Sequence, residues 1–209
     1  TIRENIIYDR ENVSEREIEE AVRIAELEKL IKRLPRGLET ILGEGGSKLS
    51  GGERRMKISI LTVGKIKEKY LRDAIAEYSK RLGRYCKLEI IEVSDEKTPD
   101  NASETVEEAI RKKEGERLLK YIRDDAFVIT LEIAGEQLTS EKFAKKINTL
   151  GIRGVSHIQF VIGGSIGLGK EVLKRSDYAL SFSKMTFPHQ LMRVILLEQI
   201  YRSYRIISG

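Results

Sequence analysis

Cysteine occurs once in this 209-residue chain, tryptophan not at all, proline three times and histidine twice. A single thiol, Cys86, can neither staple a fold nor build a zinc site, and it fits a reducing cytoplasm. The two histidines, His157 and His189, lie well apart, so no spaced ligand set for a transition metal is present. No run approaches the roughly 18 consecutive apolar residues that a bilayer span needs. The opening Thr1-Ile2-Arg3-Glu4-Asn5 has neither the apolar stretch nor the cleavage site of a secretory signal. These absences set aside a metalloenzyme, a disulfide-stapled secreted domain and a membrane protein, and they place the chain in the cytoplasm.

What is present is a globular balance: 40% hydrophobic and 34% charged residues, enough for one α/β domain with an appendage or for two small domains. Charge is unevenly spread. Residues 1–55 hold 11 basic and 12 acidic groups, whereas the remainder holds 27 and 21, a net of +6. A basic C-terminal part points mildly to nucleic acid, since neutralised phosphates release counterions, and equally fits a solvated face.

The patterning changes at Met56-Lys57-Ile58, which suggests two sequences joined end to end. Before it, Ser14 with Glu17 three residues on reads as a capping box. The helix it opens places Ile18, Ala21, Val22, Ile24 and Ala25 at helical spacing, and Leu27, Leu30 and Ile31 extend that face until Pro35 and Gly37 end it. A glycine-rich turn, Gly43-Glu44-Gly45-Gly46, leads to Leu49-Ser50-Gly51-Gly52-Glu53.

After Met56, strands and helices alternate. Strands are expected at Lys57–Val63, Leu88–Val93, Phe127–Ile133, Ile158–Ile162 and Tyr178–Phe182. Amphipathic Lys67–Leu82, with Tyr70, Leu71, Ala74, Ile75, Tyr78 and Leu82 on one side, and charged Val106–Ile122 read as helices. A third helix is capped by Ser140 and runs through Ile147, and a last one runs from His189 to Tyr204. This alternation predicts a mostly parallel, doubly wound α/β sheet. Phe160-Val161-Ile162-Gly163-Gly164-Ser165-Ile166-Gly167-Leu168-Gly169 empties an apolar strand into glycines, which lets a ligand approach bare backbone. The spacing is neither that of a dinucleotide fingerprint nor, with Glu171 after Lys170, that of a P-loop, and a structural turn fits the pattern equally well.

Leu49-Ser50-Gly51-Gly52-Glu53 and the stretches leading to it resemble the helical subdomain and signature motif of ABC-type ATPases, over essentially all of residues 1–55. With no P-loop and no Walker B strand in the chain, the resemblance implies an excised fragment unable to hydrolyse ATP alone, in an apparent fusion.

The glycine run and Leu180-Ser181-Phe182-Ser183-Lys184-Met185-Thr186-Phe187-Pro188-His189-Gln190-Leu191-Met192-Arg193 together resemble the RlmH-type family of SPOUT methyltransferases. Val63-Gly64-Lys65, Lys113-Glu114-Gly115-Glu116 and Val128-Ile129-Thr130-Leu131 support the match, which runs from Met56 to Gly209. The resemblance implies an α/β sheet with a C-terminal trefoil knot, and a homodimer with active sites near the subunit interface. It implies methyl transfer from S-adenosylmethionine to N3 of a pseudouridine in large-subunit ribosomal RNA of the assembled ribosome, without a metal. The donor would be held by Leu131, beside a turn at Gly135, by backbone at Gly163 and Gly164, and by Phe182, Ser183, Lys184, Met185, Thr186 and Phe187.

Methylation removes a proton from N3, and His189 is the histidine near this loop; it is either the base or a helix-start packing residue. Lys184, Arg193 and Arg202 are candidates for RNA phosphate or for the deprotonated base, with ion pairing the alternative for the arginines. Leu131, Met185 and Phe187 are alternatively core residues. Family members carry a short tail beyond the position of Gly209, which puts turnover in question. The alternative functions are a catalytically impaired RNA- or ribosome-binding module and an ABC-derived nucleotide-binding or interaction module.

Overall fold

The computed structural model describes residues 1–7, 10, 12–25, 27–32, 34, 36–41 and 55–209. It divides into two compact units, Thr1–Arg54 and Arg55–Gly209. The glycine turn at 43–46, Leu49–Glu53 and Pro35 lie outside the described residues.

The first unit comprises helices α1 (Ile2–Ile7), α2 (Glu15–Ile24) and α3 (Glu28–Ile31), then a 3-10 turn at Gly37–Glu39. Ser14 caps α2: its side chain accepts from the Glu17 amide, and the Glu17 carboxylate accepts from the Ser14 amide at 2.9 Å. That hydroxyl and amide hold the Glu17 carboxyl below its ordinary range. Ile18 and Val22, one turn apart, form the buried stripe. The expected single face to Ile31 is not formed. Ala25 terminates α2, Leu27 opens a separate short helix, and Ile24 is 75% exposed. Arg3 ties α1 to Glu15 and Glu39.

The second unit is a five-stranded parallel sheet in the order β2-β1-β4-β3-β5. Its elements are β1 (Lys57–Val63), α4 (Lys69–Leu82), β2 (Lys87–Val93), α5 (Glu104–Leu119), β3 (Phe127–Gln137), α6 (Ser140–Ile152), β4 (His157–Ile162), α7 (Lys170–Arg175), β5 (Tyr178–Ser181) and α8 (His189–Ser208). The two faces separate by the period-2 alternation of the central strands. Ile58, Ile60, Ile129, Ile158, Phe160 and Ile162 face α4, α6 and α8 through Leu82, Phe143, Ile147, Leu150, Leu196, Leu197 and Ile200. Leu61, Val63, Val128 and Val161 face α5 and α7 through Leu118 and Val172. Steps over the first face (α4, α6) move toward β2 and steps over the second (α5, α7) move toward β5, as one hand of crossover requires.

Several expected boundaries shift. β3 runs to Gln137 through a register shift between Leu131 and Glu136 rather than ending at Ile133. Thr139, not Ser140, caps α6, which continues to Ile152. The six-residue α7 carries no sequence signal of its own, and α8 extends four residues past Tyr204. Tyr70 points away from the α4 packing face, at 68% exposure.

Candidate active site

In open α/β sheets, ligands sit beyond the carboxyl ends of the strands. On β4 and β5 those ends carry Gly163-Gly164 and Phe182–Phe187, and on β3 between them Leu131 stands just past the end of its pairing with β4, so the fold sets the three predicted donor-binding stretches on adjacent strands. Leu131 is half-buried, packed against the larger core cluster and in register with Leu180. The residues after it bulge out of the ladder. Gly135 therefore lies within β3 and not in a turn, and a Cβ there would meet the Leu180 carbonyl carbon at 2.7 Å.

The glycines after β4 are demanded first by the loop itself. A Cβ on Gly163 would lie 2.6 Å from the backbone carbon of Gly167, which has φ +86° and whose N–H bonds to the Gly164 carbonyl at 3.2 Å. A Cβ on Gly169 would lie 2.6 Å from the Arg111 carbonyl oxygen on α5. The run is a compact turn pinned against α5.

In the loop after β5, Phe182 packs edge-on to Phe143, at 6.4 Å between centroids. The Ser183 carbonyl accepts from the Ser181 hydroxyl, and the Ser183 hydroxyl accepts from the Met185 amide at 2.9 Å. Lys184, Met185, Thr186 and Phe187 are exposed, Met185 at 72%. Beside them opens a cleft of about 210 Å³, lined by Leu138, Thr139, Ser140, Phe143, Leu180, Ser181, Phe182 and Gln199. It is smaller than the roughly 300–1,000 Å³ of typical small-molecule sites. Of its residues, Leu180, Ser181 and Phe182 lie in the stretch the sequence marked; Leu138 to Phe143 come from the start of α6 and Gln199 from the middle of α8, and no local motif ties those to the site.

His189 opens α8, with its Nε2 3.5 Å from where a Gly64 Cβ would be and Asp95 3.7 Å from the same point. Burial pushes its pKa down, Arg193 adds to that, and Asp95 opposes it. The imidazole is thus biased toward its neutral form, which can accept a proton.

Arg193, one turn on, departs from the expected phosphate contact. Its side chain is 1% exposed and pairs with Glu92 at 2.5 Å. It also donates to the carbonyls of Val63 at 2.8 Å and Gly64 at 2.6 Å, so the guanidinium is enclosed and cannot meet RNA phosphate. Burial lowers its pKa against the pull of Glu92. Arg202 is also elsewhere. Nine residues past Arg193, it falls on the opposite side of α8, about 13.5 Å along the axis, exposed and paired with Glu198 of its own helix.

The structure also assembles residues to which the sequence assigned no role. Glu92, Asp95 and Glu114 surround the Val63-Gly64 end of β1. Glu114 belongs to the Lys113–Glu116 stretch of the family resemblance, whereas Glu92 and Asp95 look in sequence like ordinary strand-end acids. Among the described residues, no group of three or more His, Cys, Asp or Glu side chains could hold a metal ion, and no helix is long and apolar enough to cross a membrane.

A family model described as a predicted SPOUT methyltransferase matches residues 56–209. The ribosomal RNA large subunit methyltransferase H of Bifidobacterium adolescentis is 72% identical over 154 residues, 74% of this chain and 97% of its own length. The proteins of the same name from Clostridium beijerinckii and Clostridium kluyveri are 66% and 59% identical over the same shares.

Proposed function

Residues 56–209 make this chain a member of the SPOUT methyltransferase family, and from that membership we propose that it methylates N3 of a pseudouridine in large-subunit ribosomal RNA with S-adenosylmethionine as donor. The observation that carries this reading is the position of Leu131, where β3 leaves its pairing with β4, between Gly163-Gly164 at the end of β4 and Phe182–Phe187 at the end of β5. The relatives' shared name supports the RNA substrate, as does the net +6 beyond residue 55.

The residues present fit such a donor. Among the described residues, the backbone N–H groups of Lys184, Thr186 and Phe187 have no protein partner. They sit in irregular backbone whose donors can read a purine edge. Half-buried Leu131 and the exposed Met185 and Phe187 offer apolar contact. When bound, S-adenosylmethionine would supply an electrophilic methyl group on a sulfonium, a displacement that demands positioning more than a metal or covalent nucleophile. In this proposal, neutral His189 accepts the N3 proton of the pseudouridine, and exposed Lys184 meets a phosphate. Arg193 holds the β1 end beside His189 and does not touch RNA.

The proposal extends to a homodimer on the assembled ribosome, a C-terminal knot and cytoplasmic residence. It takes residues 1–55 as one domain, a fused fragment akin to the helical subdomain of ABC-type ATPases, and residues 56–209 as the catalytic domain.

Titration calorimetry with S-adenosylmethionine, with ATP as comparison, followed by methyl transfer to ribosomal subunits, tests the reading. Micromolar donor binding without ATP binding, and transfer to a pseudouridine, are expected. Donor binding without transfer would leave an RNA-binding module, and ATP binding alone would favour the nucleotide-binding alternative. Gly163→Ala presses a methyl on Gly167 and should weaken donor binding by about tenfold or more, roughly 1.4 kcal/mol, with the far-UV spectrum retained. Unchanged affinity in the folded variant would sink the pocket assignment.

A further inference from the structure

The Lys113-Glu114-Gly115-Glu116 stretch has no part in the chemistry above, yet its Glu114 and Gly115 lie on the buried face of α5, the one that packs toward the glycine loop and α7. Ile110, Glu114, Gly115 and Leu118 form the buried stripe of this helix. Gly115 admits Val172 of α7, which would lie 3.3 Å from a Cβ there. Glu114 is a charged residue at 4% exposure. Its Oε1 accepts the backbone N–H of Glu96, in the loop after β2, at 2.9 Å. Its Oε2 is buried without a partner. The nearest chain across from it is the glycine loop: a Cβ on Gly164 would come within 3.0 Å of Oε2 and 3.2 Å of Val63 Cγ1.

The same helix holds both loops at other points. Arg117 donates to the Ser94 carbonyl and pairs with Glu96. Arg111 reaches the Ile166 carbonyl, and its own carbonyl abuts Gly169. A carboxyl group left with an unmet buried oxygen is a poor way to hold a helix to a sheet, because an apolar residue would fill the space without that cost. An acid kept at such a site needs a reason beyond packing.

We propose that Glu114 is a positioning residue for methyl transfer, its buried carboxyl coupling the loop after β2 to Gly164 and so setting where Gly163 and Gly164 stand against the methyl donor. The inference rests on reading the glycine loop as the donor's. Because Oε2 lies against the loop, protonation of this group changes what Gly164 packs on. Burial pushes the Glu114 pKa up, with Asp95 and Glu96 adding to that and the Glu96 amide and Arg117 opposing it. The charged groups facing it are Asp95 and Glu96 from the loop after β2, with Lys113 and Arg117 from α5 paired to Glu96, and His189 from α8 beyond Asp95. The glycine loop presents no charged side chain before Lys170, which pairs with Glu108.

The test is donor affinity of the full chain, measured calorimetrically with S-adenosylmethionine from pH 5.5 to 8. The unaltered protein should show affinity that changes several-fold across this range. Glu114→Gln, the same shape without the titration, should stay folded and lose most of that change, keeping only the part that His189 contributes. A folded Glu114→Gln that follows the unaltered protein at every pH overturns the proposal. If that variant does not fold, Gly164→Ala carries the test. Its methyl presses on Oε2, so its loss of affinity must vary with pH, and a uniform loss overturns the coupling. Absence of donor binding by the unaltered chain would instead strike at the donor-loop reading, and at this proposal with it.

Discussion

Arg193 heads the largest fully buried side chains of the described residues, and its surroundings say what a cation costs in that position. Glu92, two backbone carbonyls and nothing else compensate it, while its Nε has no partner. Removing one partner of such a pair leaves the other uncompensated in a low-dielectric site. Glu92→Leu should therefore destabilise the second unit by about 3 kcal/mol, the low end for a buried pair, because the Glu92 side chain keeps 33% of its surface in water. Adding Arg193→Met should recover most of that loss. Chemical denaturation of the two variants checks it, and additive losses would show that the pair is not coupled. From the sequence, Arg193 was one of several basic residues following the loop. Its burial depends on Val63, Gly64 and Glu92, which lie about a hundred or more positions away, and no local pattern carries that.

At the level of elements, β1 and β4 were legible because strands covered on both faces read as unbroken apolar runs, and Lys57–Val63 and His157–Ile162 are buried almost throughout. The end of β3 was not, for a physical reason. Past Leu131 the strand leaves the ladder, the run of buried residues ends, with Ile133 and Ala134 both exposed, and it rejoins β5 at Glu136. Gly135 makes that return possible, since a Cβ there would stand 2.7 Å from Leu180 and 2.8 Å from Ala179 backbone atoms. Gly135→Ala must force β3 and β5 apart at the mouth of the candidate site. We expect a loss of about 2 kcal/mol, as for overpacked positions. The control is Gly154→Ala, where nothing lies within 4 Å and φ is +87°, so only backbone strain of about 1 kcal/mol should be felt. Equal thermal shifts in the two variants would mean that the close approach is not what fixes the glycine.

For the molecule as a whole, the α/β class and parallel pairing follow from local alternation, but the order β2-β1-β4-β3-β5 does not, since it is set by which face each helix crosses. That order is what makes Leu131, Gly163 and Phe182–Phe187 neighbours, and it is also why Arg202, on the far side of α8, stays outside their group. The same packing fixes the response of the second unit to acid. His157 is buried at the opposite end of the sheet, its Nε2 2.8 Å from Ser59 Oγ. Burial lowers its pKa and Lys57 adds to the effect, against Asp125 and Glu89. His189 is lowered by burial and Arg193.

A histidine whose folded pKa lies below its unfolded value of about 6.5 contributes stability that is present above that value and lost as pH falls through the folded pKa. Glu114, raised by burial, works in the opposite sense: its contribution is complete below the unfolded glutamate value and is lost as pH rises through the folded one. Unfolding by urea in the Glu114→Gln background isolates the histidines. Its midpoint should stay level from pH 8 to 7 and fall as pH drops below about 6.5, and His157→Asn should shed part of that fall. A midpoint that rises on acidification from pH 7 to 5.5 would mean that at least one imidazole is held charged in the fold, and a rise that survives His157→Asn would assign it to His189 and remove His189 as a proton acceptor at neutral pH.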